Sequence, residues 1–140
     1  MTTAIDTNVI VGLWDAEETV RQAARRALDA ALSRGEMVIC GVVYAELIAA
    51  PGRTEAFVDQ FCEQARIRVE WELKERIWRT AGAAFQGYAV RRKKHRGLEP
   101  RRLLADFLIG AHALVNSYRL LTLDSGVYRA SFPRLVIETA

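Results

Sequence analysis

The fold is decided by MVICGVVYAELIAAPG, which is residues 37–52 of the chain. Its first four residues are apolar without alternation, as is typical of a strand buried on both faces of a sheet. Residues 42–50 follow as an apolar helix, which Glu46 interrupts and Pro51-Gly52 ends. A fully buried strand that leads directly into a helix indicates an α/β fold with a parallel sheet.

The same alternation of strand and helix continues on both sides of this stretch. The long helix before it has an apolar stripe from Val20 to Leu32 and is expected to end at Gly35 in the αL conformation. We expect a three-layer α/β/α fold with a mostly parallel central sheet, and a single domain over residues 1–140. The predicted strands are residues 2–5, 37–40, 67–71, 120–123 and 135–137, and the later predicted helices are residues 54–62, 73–88 and 103–116.

Length and composition exclude several classes of protein. The longest stretch without a charged residue in the C-terminal half, residues 107–118, is 12 residues long, and about 20 are needed to cross a bilayer. No basic segment followed by an apolar one opens the chain, so we expect no secretory signal and a cytoplasmic location. Cys40 and Cys62 have the spacing of neither a zinc site nor a redox motif, and both are interpreted as small buried side chains.

The net charge of +3 conceals an uneven distribution. Residues 91–102 hold seven basic residues and one acid, a net +6, while the other 128 residues carry −3. Such a segment predicts contact with an anionic partner such as RNA, although a solvated surface loop explains the same pattern. Its basic residues are Arg91, Arg92, Lys93, Lys94, Arg96, Arg101 and Arg102.

Four acidic residues stand at positions that carboxylates rarely occupy. Asp6 and Asp124 directly follow predicted strands, whereas Glu46 and Asp106 interrupt apolar helices. We expect no Arg or Lys to be matched with these acids. Each has an ordinary alternative when taken alone. Asp6 and Asp106 are candidate helix N-caps, and Asp124 precedes Ser-Gly in a good turn sequence.

Taken together, these acids predict a metal site. Parallel strands end at the same edge of a sheet, so we expect the carboxylates to lie close together there. Two such charges about 4 Å apart repel each other by roughly 4 kcal/mol, which a bound cation offsets. Oxygen ligands without Cys or clustered His favour Mg²⁺ or Mn²⁺ over zinc. A pair of such ions cuts phosphodiesters by activating a water and by offsetting charge on the leaving oxygen.

The sequence resembles a known family around these acids. Four motifs, in order and spacing, look like the four acidic motifs of PIN domains, and more narrowly like those of the VapC toxins of type II toxin–antitoxin pairs. The likeness extends over nearly the whole chain. The motifs are IDTN at residues 5–8, YAEL at 44–47, RLLADFLIGAHA at 102–113 and LTLD at 121–124.

The resemblance implies a Mg²⁺- or Mn²⁺-dependent endoribonuclease that is neutralised by a cognate antitoxin and is usually a homodimer. Its metal-binding acids are implied to be Asp6, Glu46, Asp106 and Asp124. Thr7 or Asn8 is expected to orient Asp6, and Thr122 is expected to steady the acidic edge by hydrogen bonding. The basic segment is implied to grip the RNA backbone, or to receive the acidic tail of the antitoxin.

The sequence also leaves alternatives open. Relatives often carry another acid two residues after the Asp124 position, where this chain has Gly126, so a one-metal mechanism is a variant of the hypothesis. Without that acid, a non-catalytic RNA- or antitoxin-binding module that uses residues 91–102 is the main alternative. A phosphohydrolase with Asp6 as nucleophile is a third, but Asn8 stands where such enzymes usually have a second acid.

Several other residues have structural interpretations. His112 follows Asp106 by six residues and therefore faces another side of the helix, so we expect a hydrogen-bonded structural histidine. His95 is expected at the surface within the basic segment. Four aromatic residues lie at or near helix-stripe spacing, which favours the core or a dimer surface over base stacking: Trp71, Trp78, Phe85 and Tyr88.

Overall fold

The structure is a computed structural model that describes residues 1–98 and 101–140. Glu99, which is the one acid of the basic segment, and Pro100, which precedes the helix predicted over residues 103–116, lie outside the described residues. Within the described residues, five strands form one sheet. They are β1 (Thr3–Ile5), β2 (Met37–Cys40), β3 (Ile67–Glu70), β4 (Arg119–Thr122) and β5 (Ile137–Thr139).

Helices connect these strands close to where the hydrophobic periodicity predicts them. The helix predicted over residues 103–116 begins and ends one residue inside those limits. The short helix after β4 is not predicted from the sequence, because six residues are too few to show an apolar stripe. The helices in the same described ranges are α1 (Thr7–Gly12), α2 (Glu18–Arg34), α3 (Gly41–Ala49), α4 (Glu55–Ala65), α5 (Glu75–Lys94), α6 (Leu104–Val115) and α7 (Gly126–Ser131).

The sheet has the order β3-β2-β1-β4-β5, and each neighbouring pair is parallel. The prediction of an α/β fold with a mostly parallel sheet is therefore confirmed. From β1 the chain builds the sheet outward first through β2 and β3 and later through β4 and β5. Helices α1 to α4 pack mainly with one another, α5 to α7 do the same, and α3 also contacts α6. The strand order reverses at β1, and open α/β sheets bind ligands beside the carboxyl ends of the strands at such a point.

Helix α6 forms much of the core, because its residues Phe107 to Ala113 are all buried. Gly110 allows a close approach of another aromatic side chain. A Cβ atom built on Gly110 would lie 2.3 Å from Cε2 of Phe132, and that phenylalanine is itself 3% exposed. The absence of a side chain at Gly110 therefore lets the Phe132 ring pack against α6, which holds the end of α7 close to this helix.

Two sequence-based expectations need correction. Gly35 follows α2 as predicted, but its backbone angles of φ 150° and ψ −154° do not lie in the αL region. A Cβ atom there would lie 1.9 Å from the carbonyl oxygen of Met1, so the close approach of two backbones requires this glycine. Trp71 and Trp78 are 62% and 50% exposed, so they are not core residues, and of the two interpretations offered for them only a dimer surface is compatible with this exposure.

Other expectations agree with the structure. Tyr88 is buried and packs with Phe85 and Phe107 in an aromatic cluster. Cys40 and Cys62 are buried free thiols, as predicted. None of the described helices is both long enough and apolar enough to cross a membrane.

Candidate active site

The four acids predicted from the sequence line one pocket at the carboxyl edge of the sheet. The pocket has a volume of about 260 Å³, and Arg102 and Tyr128 also contribute to its wall. A larger groove of about 590 Å³ lies between α2 and α4, but none of the four acids lines it. The fold therefore brings Asp6, Glu46, Asp106 and Asp124 together, although 118 residues separate the first from the last.

Asp6 is the most deeply buried of these acids, at 5% exposure. It occupies the N-cap position of α1 with an extended backbone, as predicted, but its side chain makes no capping hydrogen bond, so capping does not account for the carboxylate. Its Oδ2 atom accepts hydrogen bonds from Thr122 Oγ1 at 2.8 Å and from the Tyr128 hydroxyl at 2.9 Å. Burial nevertheless raises the pKa of Asp6 from 3.8 to about 6, because the charged form loses its hydration and these hydrogen bonds offset only part of that loss. The charge of Asp106 raises it further.

Neither the Thr7 nor the Asn8 side chain is hydrogen-bonded to Asp6, so neither orients it in the direct way expected from the sequence. The Thr7 hydroxyl donates to Glu46 Oε1 at 2.5 Å and so holds the acid of α3. The Asn8 amide donates to Thr122 Oγ1 at 3.2 Å and accepts from the backbone of Leu123 at 3.0 Å. Asn8 therefore acts on Asp6 through Thr122. Thr7 acts on Asp6 directly, because a hydrogen bond from its backbone N–H lowers the pKa of that carboxyl group.

Tyr128 is a site residue that the sequence did not reveal. It is 1% exposed and lies on the short helix α7. In the sequence, a tyrosine at such a position looks the same whether it only fills the core or also donates a hydrogen bond. Burial and the neighbouring charge of Asp6 raise the pKa of the Tyr128 hydroxyl far above its ordinary value. The hydroxyl therefore stays protonated and serves as a permanent donor to Asp6.

Asp106 and Asp124 differ in exposure and in partners. Asp106 is half-buried in the first turn of α6, whose N-cap position is Leu103, so Asp106 is not the N-cap. Burial raises the pKa of Asp106, and the charge of Asp124 adds to that rise while Arg102 opposes it. Asp124 is more exposed, and its Oδ1 accepts a long 3.4 Å hydrogen bond from the backbone of Gly126, in keeping with the turn interpretation.

Arg102 places a positive charge in the wall of the acid pocket. Its Nη1 lies 3.2 Å from Asp124 Oδ2 in an ion pair. The expectation that no basic residue accompanies the acids is therefore wrong. Twenty-two residues separate the two partners, so no local motif shows their pairing.

Five of the seven basic residues of the basic segment line one groove, and Arg91 lies outside it. Arg91 donates to the Ser131 hydroxyl at 3.2 Å and so fastens α5 to α7. His95 is exposed, as predicted. A groove of about 660 Å³ runs between the end of α5 and the start of α6, with an apolar wall that includes Phe85. Its basic lining residues are Arg92, Lys93, Arg96, Arg101 and Arg102.

His112 has the structural role predicted for it. It is 1% exposed, and its Nε2 lies 2.8 Å from Glu70 Oε1. The other carboxylate oxygen of Glu70 accepts from the Tyr118 hydroxyl at 2.8 Å and from Arg68 at 2.7 Å. Burial lowers the pKa of His112 despite this carboxylate, so the ring is neutral at physiological pH.

Comparison with known proteins identifies the family to which this fold belongs. A model of the PIN domain matches residues 3–133.

The chain belongs to the PIN-domain family.

Solved structures similar to this PIN domain cover nearly its whole length. A chain of VapBC2 from Rickettsia felis, bound to a DNA fragment from the promoter, has a TM-score of 0.70, 19% identity and coverage of 99% and 98% of the two chains. VapBC-1 from nontypeable Haemophilus influenzae has a TM-score of 0.69, 21% identity and the same coverage. VapC20 of Mycobacterium tuberculosis, a sarcin-ricin loop cleaving toxin, has a TM-score of 0.59, 16% identity and coverage of 93% and 95%. At these identities the likeness shows a shared fold, and no curated protein matches the chain by sequence.

The donor atoms of this PIN domain fit a hard divalent cation. Carboxylate, hydroxyl and amide oxygens line the pocket, and no Cys or His stands among its lining residues. Such a set favours Mg²⁺ or Mn²⁺. Among the residues that the structure describes, no three His, Cys, Asp or Glu side chains are grouped closely enough to hold an ion in their present positions. Two of the four acids are held by other partners, Glu46 by Thr7 and Asp124 by Arg102.

Tyr128→Phe is expected to shift the pH dependence of any activity that needs ionised Asp6. The change keeps the ring but removes a hydrogen bond to the charged carboxylate, so the pKa of Asp6 rises above its value of about 6. We expect the acid limb of the kcat/KM profile to move about one unit upward, so that kcat/KM falls about ten-fold at pH 5 but only about two-fold at pH 7.

The matched control is Tyr118→Phe, which removes a hydroxyl that donates to Glu70 outside the acid pocket. Its acid limb should coincide with that of the wild type. A Tyr128→Phe profile that lies lower at every pH without moving along the pH axis would contradict the assigned role of the hydroxyl.

Proposed function

We propose that this PIN domain is a Mg²⁺- or Mn²⁺-dependent endoribonuclease that acts as the toxin of a type II toxin–antitoxin pair. The observation that supports it most strongly is the meeting of four acids from four parts of the chain in one pocket, beside a basic groove. Burial raises the pKa of two of the acids, so their ionised forms have a high free energy that cation binding would lower.

The residues of the pocket have distinct parts in this proposal. Asp6 is held by two hydroxyl donors and would serve as the rigid cation ligand, with Asp106 next to it. Glu46 and Asp124 would complete the set of ligands. The chemistry that a cation would supply there is a lowered pKa for a water molecule and a positive charge that offsets the charge on the leaving oxygen. In the hydrolysis, the water oxygen bonds to phosphorus, one P–O bond to ribose breaks, and the ribose oxygen takes up a proton.

The basic groove would hold the rest of the RNA. A phosphodiester backbone is repelled by the acid pocket, so binding needs positive charge close by. Arg92, Lys93, Arg96 and Arg101 supply that charge on the walls of the groove. Because phosphate contacts release counterions, RNA affinity should fall steeply as salt rises.

The toxin role is supported by the named structural neighbours. Two of them are VapBC toxin–antitoxin complexes, and a third is a toxin that cleaves the sarcin-ricin loop. We therefore propose a cognate antitoxin as protein partner and the cytoplasm as the place of action. The exposed indoles of Trp71 and Trp78 offer apolar surface to a second copy, in keeping with a homodimer.

Metal removal is the direct test of the proposed activity. Purified protein is incubated with total RNA in Mg²⁺ or Mn²⁺, and cleavage sites are mapped by sequencing of the new RNA ends. We expect discrete cleavage that EDTA abolishes and added Mg²⁺ or Mn²⁺ restores. Robust cleavage in EDTA would overturn the metal-dependent mechanism. Salt-sensitive RNA binding without turnover in any metal would favour the binding module instead.

A further inference from the structure

Arg102 lies at the junction of the two cavities that the proposed function uses. It lines the acid pocket and also the basic groove, and among the described residues it is the one lining residue that the two cavities share. Its side chain is only 25% exposed, although it belongs to a segment rich in solvated charges. An RNA strand that passes from the basic groove to the acids must therefore pass this guanidinium.

The present partner of Arg102 is one of the four acids. The ion pair with Asp124 engages Oδ2 of that carboxylate, at 3.2 Å. The charge of Arg102 also stabilises the ionised form of Asp106, so its field reaches a second acid. While the pair is formed, Asp124 is held by the guanidinium and is less available to a cation.

A purely structural role does not account well for this pair. The Asp124 side chain is 53% exposed, and ion pairs of this exposure contribute little to folding stability because water and salt screen them. A guanidinium matches a phosphate as well as a carboxylate, since both accept two parallel hydrogen bonds from its planar fork. Arg102 is therefore suited to exchange one anion for the other.

We propose that Arg102 contacts the RNA phosphate at the acid pocket, and that it leaves Asp124 when that phosphate arrives. This inference rests on the proposed function and adds a substrate contact to it. The exchange couples two events, because the phosphate that takes up the guanidinium also frees Asp124 to join the other acids around a cation. Arg102 thereby adds positive charge next to the scissile phosphate and delays completion of the cation site until substrate is present.

The test compares Arg102→Gln with Arg101→Gln. Both variants lose one positive charge from the same segment, but Arg101 is exposed and lines only the basic groove. Without RNA, Mn²⁺ affinity is measured by electron paramagnetic resonance of the free ion. We expect Arg102→Gln to bind Mn²⁺ about five-fold more tightly than the wild type, because Asp124 has lost its competing partner. Arg101→Gln should stay within about two-fold, and adding Asp124→Asn to Arg102→Gln should remove the gain.

The second readout is RNA cleavage by the same proteins. We expect Arg102→Gln to lower kcat about 100-fold, as for loss of one donor to developing charge, while Arg101→Gln mainly raises KM by a few-fold. Arg102→Lys should recover part of kcat. Tighter Mn²⁺ binding with slower cleavage is a combination that a merely structural residue would not produce.

Three outcomes would overturn the inference. Equal effects of the two Gln variants on Mn²⁺ affinity and on kcat would show that Arg102 is an ordinary surface charge. A loss of both Mn²⁺ affinity and kcat together with a lowered melting temperature would make Arg102 a structural residue. A wild type that cleaves no RNA in either metal overturns the proposed function and the phosphate contact with it, and the Mn²⁺ measurement then decides the competition for Asp124 alone.

Discussion

Asp6→Asn is expected to raise the melting temperature of the metal-free protein while it abolishes RNA cleavage. The two effects have one origin, which is the burial of a carboxylate whose charge the protein alone does not balance. The pKa of Asp6 is raised from 3.8 to about 6, so the folded state binds a proton more tightly than the unfolded state does. A site shaped for a cation is expected to have this property.

The sign of the pH dependence follows from linkage. Because the pKa of Asp6 is higher in the folded state, its contribution to the free energy of unfolding is most favourable below the unfolded pKa of 3.8, where the carboxyl group is protonated. It is lost as pH rises through the folded value of about 6, and ionised Asp6 then destabilises the fold. A shift of this size limits the cost at neutral pH to roughly 3 kcal/mol. Asn retains an acceptor oxygen for Thr122 and Tyr128, so we expect a net gain of about 2 kcal/mol.

The measurement is thermal unfolding in EDTA between pH 4 and pH 8. A gain of about 2 kcal/mol corresponds to an increase on the order of 6 °C for a domain of this size, and it should shrink towards pH 4. The control, Asp124→Asn, changes an exposed and ion-paired carboxylate, and its melting temperature should change little. Added Mg²⁺ should stabilise the wild type more than Asp6→Asn. An apo Asp6→Asn protein that melts several degrees below the wild type would show that the carboxylate stabilises the fold instead.

Asp106→Asn is expected to lower RNA cleavage by about 1,000-fold without unfolding the protein. The side chain is half-buried in the acid pocket, and among the described residues no basic side chain lies within 4 Å of it to form an ion pair. Asn has nearly the same shape but a weaker affinity for a hard cation, so the loss should come from the chemistry rather than from the fold. Because burial raises the pKa of Asp106, loss of its charge should not destabilise the apo protein.

Comparison within the set of acids sharpens this prediction. Asp124→Asn should cost less activity, since Asp124 is more exposed and shares its charge with Arg102. Asp29→Asn, an exposed change on α2 outside the pocket, should cleave RNA like the wild type. Single-turnover rates at saturating Mg²⁺ give the comparison, and circular dichroism shows whether each variant is folded. If Asp106→Asn retains activity within a few-fold of the wild type, the reaction does not take place in this pocket.

Much of the acid pocket was predictable because its geometry follows from strand ends. Asp6 directly follows β1 and Asp124 comes two residues after β4, and because these strands are parallel neighbours in the sheet, both acids lie at one edge. Glu46 and Asp106 stand out because an apolar helix rarely contains an unpaired acid. These are local signals, and each can be read within about ten residues of sequence.

The roles of the polar partners were not predictable in the same way. Thr7 and Asn8 lie next to Asp6 in the chain, yet a helix turns their side chains towards Glu46 and Thr122. Tyr128 donates to Asp6 across 122 residues, from a helix too short to show a periodic pattern. Hydrogen bonds of this kind depend on side-chain directions that are set by packing, and adjacency in the sequence does not indicate them.

The basic segment shows the difference most clearly. Its net charge of +6 was readable from the sequence, and it suggested one surface for one anionic partner. In the structure Arg91 fastens α5 to α7, Arg101 lies exposed on the groove, and Arg102 turns into the acid pocket. The net charge of a segment does not show in which direction each side chain points, whereas the function of a guanidinium depends on the group that it faces.

By itself, then, the sequence determined the α/β class, the edge of the sheet that carries the acids and the family to which the motifs belong. The class and the edge follow from hydrophobic periodicity and from strand ends, which are local properties of the chain, and the family follows from the resemblance of the four acidic motifs. Only the tertiary structure decided which acid is buried with a raised pKa, which hydroxyl holds it and which arginine opposes it. Burial and long-range pairing set those properties, and both arise when segments distant in sequence pack together.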